Sequence, residues 1–244
     1  MRLLSVFAVL MFTSVQADTL RFESGPDRVG LLELYTSEGC SSCPPADRWL
    51  SSQVDNPRVF STFIPVAFHV DYWDYIGWKD RFARSAFSDR QRSYAREGSL
   101  NTVYTPGFVY DGAEWREYFG GDMQRLPVTG PAGRLSLRLE QDDVRLAFVP
   151  TTRLAPRYVV NIALLGFGLE SDVRAGENRN RKLQHDFVVL SHKQTVQRAG
   201  DSELAWSGKL PTSSIKAQRY AVVAWVSGHR SQRPLQATGG FLPL

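Results

Sequence analysis

The sequence predicts an α/β unit followed by an all-β, sandwich-like unit. Strand and helix patterns alternate in the first half, whereas from Arg134 onward helix patterns give way to short alternating or β-branched runs. Between them, Leu126 to Gly133 contains two prolines and two glycines, which is the composition of a linker. We therefore predict one unit over residues 18–127 and a second over residues 134–244.

The first residues have the composition of a secretory signal peptide. Met1 and Arg2 form a positively charged start, Leu3 to Phe12 is almost wholly apolar, and Val15-Gln16-Ala17 fits a signal peptidase site. We expect residues 1–17 to be removed and the mature chain to be periplasmic or secreted. No membrane span is expected after cleavage, because later apolar stretches fall well short of the roughly 20 residues a spanning helix needs.

The first unit begins with strand and helix patterns in alternation. An apolar run predicts a buried strand over Gly30 to Tyr35, and a second strand is predicted over Thr62 to Val70. Between them, the i, i+3, i+4 spacing of apolar residues predicts a helix over Ala46 to Val54. Pro44 and Pro45 fit only the first turn of that helix, where no backbone N–H is needed.

A second helical segment and a hairpin complete the first unit. The segment Trp73 to Glu97 is predicted to be helical, with a capping box at Ser88 and Gln91, and its arginines are expected on a solvated face. Gly98 is the predicted C-terminal stop. The Asp-Gly turn between two extended runs predicts a β-hairpin; its strands are Gly107 to Tyr110 and Ala113 to Tyr118, joined by Asp111-Gly112.

The second unit consists of short runs separated by turn-forming residues, as in a β-sandwich. The predicted strands are Leu135 to Leu139, Val144 to Val149, Tyr158 to Leu165, Phe187 to Leu190, Leu204 to Leu210 and Tyr220 to Val226.

The two cysteines of the chain, Cys40 and Cys43, form a Cys-x-x-Cys motif between the first predicted strand and the first predicted helix. The N-terminus of a helix stabilises a thiolate, which is the species that attacks disulfides. In an oxidising compartment the pair is expected to be bonded or to cycle. Two cysteines are too few for a zinc site of four thiolates. The net charge of +4 is spread among interleaved acids and bases, so no nucleic-acid partner is expected.

The order of elements resembles the thioredoxin plan at three points: the cysteine pair, the proline of Thr105-Pro106, and the hairpin after it. That resemblance implies a cis proline whose loop faces the two sulfurs. A narrower resemblance is carried by Leu32 to Asp47, His69 to Trp78, Tyr104 to Pro106, and Gly176-Glu177-Asn178 with His185. In these segments the chain resembles a secreted bacterial family called domain of unknown function 1223 (DUF1223). That resemblance implies a thioredoxin-like domain followed by a β-rich domain and no assigned activity.

The motif and the resemblance predict a thiol-disulfide oxidoreductase that acts on protein thiols or disulfides without a cofactor. Cys40 is the predicted attacking thiolate and Cys43 the resolving thiol. Thr105 and Pro106 are expected to form a wall for the client segment. The hydroxyls of Ser41 and its neighbour are expected to donate to the thiolate. Glu38 is expected either to relay protons or to be an exposed loop carboxylate.

Two alternatives stay open from the sequence. The bridge is inert in one of them, and the protein is then a binding module with a structural disulfide. In the other, Cys40, Cys43 and His69 form a copper(I) site of a chaperone-like protein; the competing expectation is that His69 bonds to Asp71 or to backbone. The polar segment Gly176 to Lys182 fits either a disordered connection, which we expect, or a loop that caps the cysteines.

Overall fold

The computed structural model describes residues 19–120, 126, 130–153 and 155–243. The predicted signal peptide, residues 1–17, lies outside the described residues. The helices are α1 (Pro44–Ser51), α2 (Ser85–Arg96) and α3 (Glu117–Gly120), with a 3-10 turn at Asp74–Ile76. Among the described residues, no helix has the length and apolar character needed to cross a membrane.

Strands make up most of the regular structure. They are β1 (Thr19–Glu23), β2 (Gly30–Thr36), β3 (Phe63–His69), β4 (Gly107–Tyr110), β5 (Ala113–Glu114), β6 (Gly133–Glu140), β7 (Asp143–Pro150), β8 (Arg157–Phe167), β9 (Leu169–Asp172), β10 (Lys182–His185), β11 (Val188–Arg198), β12 (Leu204–Lys209), β13 (Arg219–Gly228) and β14 (Pro234–Phe241).

Eight of these strands form one mixed sheet in the order β14-β13-β8-β11-β3-β2-β4-β5. Strands β2 and β3 are parallel, and β4 is antiparallel to β2. Strand β11 joins the strands of the first half of the chain to those of the second half. It pairs with β3 at Val188, opposite Ala67, and with β8 along most of its length. The sheet thus takes strands from both sides of the predicted linker.

A second sheet, in the order β1-β6-β7-β12, covers part of one face of the large sheet. Side chains alternate along a strand, so Val222 and Ala224 of β13 face this second sheet while Val223 and Trp225 face the core around α1 and α2. The apolar layer between the sheets buries Leu135, Leu137, Leu139, Val144, Leu146, Phe148, Tyr158, Val160, Ile162, Leu204, Trp206, Val222, Ala224 and Val226. At about 25 cal/mol per Å² of buried apolar surface, such a layer is a main source of stability.

The predicted fold class, an α/β thioredoxin-like N-terminal domain followed by an all-β sandwich-like C-terminal domain, is wrong. The structure is mostly β, with 46% strand and 12% helix in multiple sheets. The physical reason is the pairing of β11 with β3: the strands of the first half do not close a sheet of their own but continue into strands of the second half.

Most predicted strands are confirmed, but element ends differ. The predicted helix over Trp73 to Glu97 is shorter, because α2 begins at Ser85. The capping box is wrong: Ser88 is buried inside α2, where its hydroxyl donates to Asp71 instead of capping a helix. The Asp111-Gly112 turn is confirmed, with positive φ angles at both residues, and the returning strand ends at Glu114.

Candidate functional site

The cysteine loop and the proline loop meet at one end of the large sheet. Tyr35 of β2 lies opposite Gly107 of β4, so Pro106, directly before Gly107, lies beside the end of β2 where the cysteine loop begins. The Thr105–Pro106 peptide bond is cis. The Thr105 hydroxyl accepts a hydrogen bond of 2.7 Å from the Trp73 indole nitrogen. The predicted pair Thr105 and Pro106 therefore borders the cysteine loop.

Cys40 and Cys43 form a disulfide, and their Cα atoms are 5.4 Å apart. Cys43 is the N-cap of α1, and Pro44 opens the first turn as predicted. Both cysteines are buried, with exposed fractions of 1% for Cys40 and 0% for Cys43. The serine hydroxyl near the first sulfur is that of Ser42, 3.3 Å from Cys40 Sγ. The surface of this loop presents Ser41 and Ser42, not the sulfurs.

A hairpin from the second half of the chain covers the cysteine loop. Strands β9 and β10 pair with each other, and residues 173–181 between them form what we call the cap loop. The Asn178 amide donates two hydrogen bonds of 2.8 Å, to the carbonyl oxygens of Glu38 and Cys40. Glu177 accepts a bond of 3.0 Å from the Ser41 backbone N–H. The expected disordered connection is therefore wrong, and the capping alternative is the one observed.

Glu38, expected as an exposed loop carboxylate or a proton relay, is fully buried. Its carboxylate accepts a hydrogen bond of 2.8 Å from the Trp78 indole nitrogen and lies 3.3 Å from His185 Nε2. Burial opposes ionisation, but the neighbouring His185 imidazole holds the pKa of Glu38 below its ordinary value. A negative charge is thus stabilised two residues before Cys40.

His69 lies beneath the same loop and is paired with Asp80. The two side chains are fully buried, with 2.7 Å between His69 Nδ1 and Asp80 Oδ2. Burial alone would lower the pKa of His69, but the Asp80 carboxylate prevails and raises it to about 8. The same contact holds the pKa of Asp80 below its ordinary value despite burial. The expected bond from His69 to Asp71 is absent, and Asp80 takes that place.

His185, at the end of β10, joins these groups into one buried cluster. Its ring lies 5.0 Å from the His69 ring, and its Nδ1 is 4.0 Å from Asp47 on α1. Burial raises the pKa of Asp47, which also accepts a bond of 3.1 Å from the Thr36 hydroxyl. Neither ring nitrogen of His185 has an aligned hydrogen-bond partner in the described part of the molecule.

A cavity of about 160 Å³ adjoins the buried cluster. Asp47 and His185 line its inner side, and Arg48, Lys182 and Gln184 line the rest with Pro44 and Leu183. A space of this size holds several water molecules. Water in this cavity would give the buried acids a route for proton exchange with solvent.

The site that results is only partly the predicted one. Cys40, Cys43, Thr105 and Pro106 lie together, and Nδ1 of His69, the third residue of the copper(I) alternative, is bonded to Asp80. Within the described ranges, no group of three or more His, Cys, Asp or Glu side chains is arranged to hold a metal ion. Asn178 and His185 were not assigned to the site from the sequence, where their one signal was their place in the family resemblance.

Comparison with known proteins supports the same architecture. A crystal structure of a protein from Agrobacterium tumefaciens is similar with a TM-score of 0.60 and 24% identity, covering 88% of this chain and 95% of that chain. The structure of HBP35 of Porphyromonas gingivalis gives a TM-score of 0.59 at 13% identity, covering 90% of this chain and 76% of that chain. At these identities the likeness concerns the fold alone.

No curated protein matches the chain. The model of the family described as "Protein of unknown function (DUF1223)" matches residues 31–227, which is most of the chain. The protein therefore belongs to the DUF1223 family.

Proposed function

We propose that the Cys40–Cys43 disulfide is redox-active and exchanges with thiols or disulfides of client proteins, in the periplasm or outside the cell. The observation that carries the proposal is the buried acid–histidine cluster beside the cysteine loop, in which Glu38 precedes Cys40 by two residues and Asp47 follows Cys43 by one helical turn. A disulfide that closes so short a loop stabilises the fold only weakly through chain entropy. A purely structural role would therefore not explain why buried ionisable groups surround the cysteine loop.

The proposed cycle begins with the reduced protein. The Cys40 thiolate attacks one sulfur of a client disulfide, the client S–S bond breaks, and the leaving client sulfur takes a proton. Cys43 then loses its proton and attacks Cys40 in the mixed disulfide. The Cys40–Cys43 bond forms, the second client sulfur leaves as a thiol, and the client has gained two electrons and two protons. Starting from the oxidised protein, the reverse sequence oxidises a client dithiol to a disulfide, and the Cys40–Cys43 bridge takes up the two electrons and two protons.

Two groups support the proton transfers of this cycle. Asp47 lies one helical turn after Cys43 and its backbone N–H donates to the Cys43 carbonyl oxygen at 3.1 Å. Because burial raises its pKa, the Asp47 carboxyl is suited to accept and return a proton. The Ser42 hydroxyl, 3.3 Å from Cys40 Sγ, is suited to donate to the thiolate.

Client access requires the cap loop to move. In the closed arrangement, both sulfurs are buried beneath the segment that Asn178 fastens to Glu38 and Cys40. The client segment would then lie against the proline loop, where Thr105 and Pro106 border the cysteines. The proposal thus includes an opening step before each exchange.

Trapping of the mixed disulfide tests the proposal. The reduced Cys43→Ser variant, with a scrambled-disulfide protein as probe, should accumulate an adduct at Cys40 that dithiothreitol releases. The matched Cys40→Ser variant should trap much less. Equal trapping by both variants, or none by either while both remain folded, would contradict the assignment of Cys40 as the attacking group.

The burial of both sulfurs favours a second candidate, a binding module whose disulfide is inert. In that case the bridge remains closed under conditions that reduce exchange-active disulfides, and the double variant Cys40→Ser/Cys43→Ser keeps full partner binding. Absence of any trapped adduct, together with resistance to reduction, would establish this candidate in place of the first.

A further inference from the structure

Three neighbouring strands of the large sheet, β8, β11 and β13, have ends that form what we call the basic edge. It lies at the end of β11 opposite to Val188, the residue that pairs with β3. Strand β8 begins at Arg157, and β11 ends at Arg198 directly opposite it. Strand β13 ends at Gly228, which is opposite the residue after Arg157, and the chain continues into His229 and Arg230. The strand ends therefore bring three arginines and a histidine to one place.

The three arginines and His229 line a cavity of about 610 Å³, and none of its lining residues carries a carboxylate. The rest of the lining is Ala155, Pro156 and Gly228. Of the ion pairs among the described residues, none involves Arg157, Arg198 or Arg230. His229 and Arg230 also line an adjoining cavity of about 310 Å³, whose lining includes Arg96 and Glu97 near the end of α2. The Glu97 carboxylate there accepts hydrogen bonds from the Ser231 hydroxyl and the Gln232 backbone N–H.

An arginine pair elsewhere in the chain shows how such charges are otherwise balanced. Arg138 and Arg145 also lie directly opposite each other, on β6 and β7. Glu140 and Asp143 form the opposite pair two residues further along these strands, on the same face, and they supply carboxylates beside the two arginines. Beside Arg157, by contrast, the corresponding same-face pair is Val159 and Val196. Like charges directly opposite each other in a sheet are destabilising. At Arg157 and Arg198 no carboxylate occupies the same-face position beside the pair.

We propose that this edge, the residues Arg157, Arg198, His229 and Arg230, is a binding site for a ligand that carries a multivalent phosphate group. Guanidinium groups bind phosphate oxygens in a bidentate, planar arrangement, and adjacent guanidiniums require more than one negative charge for neutralisation. The cavity volume lies in the range of small-ligand pockets and exceeds one phosphate group. The site is independent of the redox proposal, because it shares no residue with the cysteine cluster.

Calorimetric titration of the full chain with inorganic pyrophosphate at fixed ionic strength tests the site. We expect saturable binding that weakens at least about tenfold in Arg157→Gln/Arg198→Gln, because two charge-assisted contacts are lost. The matched control Arg138→Gln/Arg145→Gln removes an opposite pair of equal charge and should bind like the unmodified protein. Near-ultraviolet circular dichroism verifies that all three proteins are folded.

Sedimentation with vesicles separates a free phosphate compound from a lipid headgroup. Binding to phosphatidylglycerol vesicles but not to phosphatidylcholine vesicles, lost in the Arg157→Gln/Arg198→Gln variant, would support the site with a headgroup as the source. No saturable binding in either assay overturns the proposal, as does equal weakening in the control variant. An oligoglutamate peptide that binds more tightly than pyrophosphate at the same arginines would also overturn it, since the ligand is then a carboxylate.

Discussion

Asn178 fastens the cap loop to the cysteine loop. Its side-chain nitrogen is the donor to the carbonyl oxygens of both Glu38 and Cys40, and the residue is fully buried. A hydrogen bond of this kind contributes about 1 kcal/mol net. Closure of the cap therefore depends strongly on one amide, and the proposed function makes that amide the determinant of access to the disulfide.

We predict that Asn178→Ala is reduced by dithiothreitol faster than the unmodified protein by roughly tenfold or more, because two hydrogen bonds that hold the cap closed are removed. The measurement is the rate of thiol appearance under pseudo-first-order conditions. Gln184→Ala is the control, since Gln184 lies on the same hairpin but bonds to Glu170 on the exposed side. Identical rates in the two variants would show that the Asn178 bonds do not limit access.

Because of His69, the free energy of unfolding should decrease as the pH rises above neutral. Its pKa in the folded state is about 8, above the ordinary value of 6.5. A raised histidine pKa contributes stability that is fully present below pH 6.5 and is lost as the pH rises through 8. The difference between the ordinary and the folded-state pKa of His69 corresponds to about 2 kcal/mol in the free energy of unfolding.

We predict that the free energy of unfolding falls between pH 6 and pH 9 by about 2 kcal/mol more in the unmodified protein than in His69→Gln. Urea unfolding at the two pH values measures it, and the comparison cancels groups that titrate in both proteins. If the two proteins lose the same stability over this interval, the His69–Asp80 contact is not an ion pair in solution.

At the scale of elements, a buried ion pair connects β2 to α2. The Arg90 guanidinium on α2 donates to both oxygens of the Glu33 carboxylate on β2, at 2.7 and 2.9 Å. Tyr35 and Tyr94 also donate to Glu33, so the carboxylate has partners on every side. Although the arginines of this segment were expected on a solvated face, Arg90 is buried.

Replacement of Arg90 by methionine should destabilise the protein by about 3–5 kcal/mol, because Glu33 would remain as a buried charge without its cation. Urea unfolding at neutral pH measures the loss. Arg92→Met on the same helix is the control: Arg92 pairs with Asp89 at the surface, and such pairs contribute little. A similar small change in both variants would mean that Glu33 is neutral or solvated.

Strands with a continuous apolar run could be predicted from the sequence. A strand in which packing requires glycine could not, because glycine weakens the strand pattern. The run Gly30 to Tyr35 corresponds closely to β2. Strand β14 contains Gly239 and Gly240, which weaken a strand pattern. Both glycines are needed there, because a Cβ at Gly239 would collide with the Val222 carbonyl oxygen and one at Gly240 with the Phe22 ring.

For the whole molecule, the pairing of distant strands was the part that local patterns could not specify. Periodicity identifies a strand but not its partner, so the contact of β11 with β3 was not predicted and the fold class was wrong. The same limit applies to the site. Cys40 and Pro106 could be assigned from motifs, whereas Asn178 and His185 reach the cysteines only because the β9–β10 hairpin folds over them.

A continuous sheet predicts a single cooperative unfolding transition. Strands from both sides of the predicted linker share one sheet and one apolar core, so unfolding of either half would expose core residues of the other. Urea curves followed by far-ultraviolet circular dichroism and by tryptophan fluorescence should coincide. Two separated transitions would show instead that the halves unfold as independent units.

The reduction potential of the Cys40–Cys43 couple tests the central claim most directly. Equilibration of the purified protein with defined mixtures of reduced and oxidised glutathione, read by thiol alkylation and mass spectrometry, gives the value. The account predicts reversible reduction within the range of exchange-active disulfides, about −120 to −270 mV. A bridge that stays closed down to below about −300 mV, in a protein that is still folded, would contradict it and leave a structural disulfide.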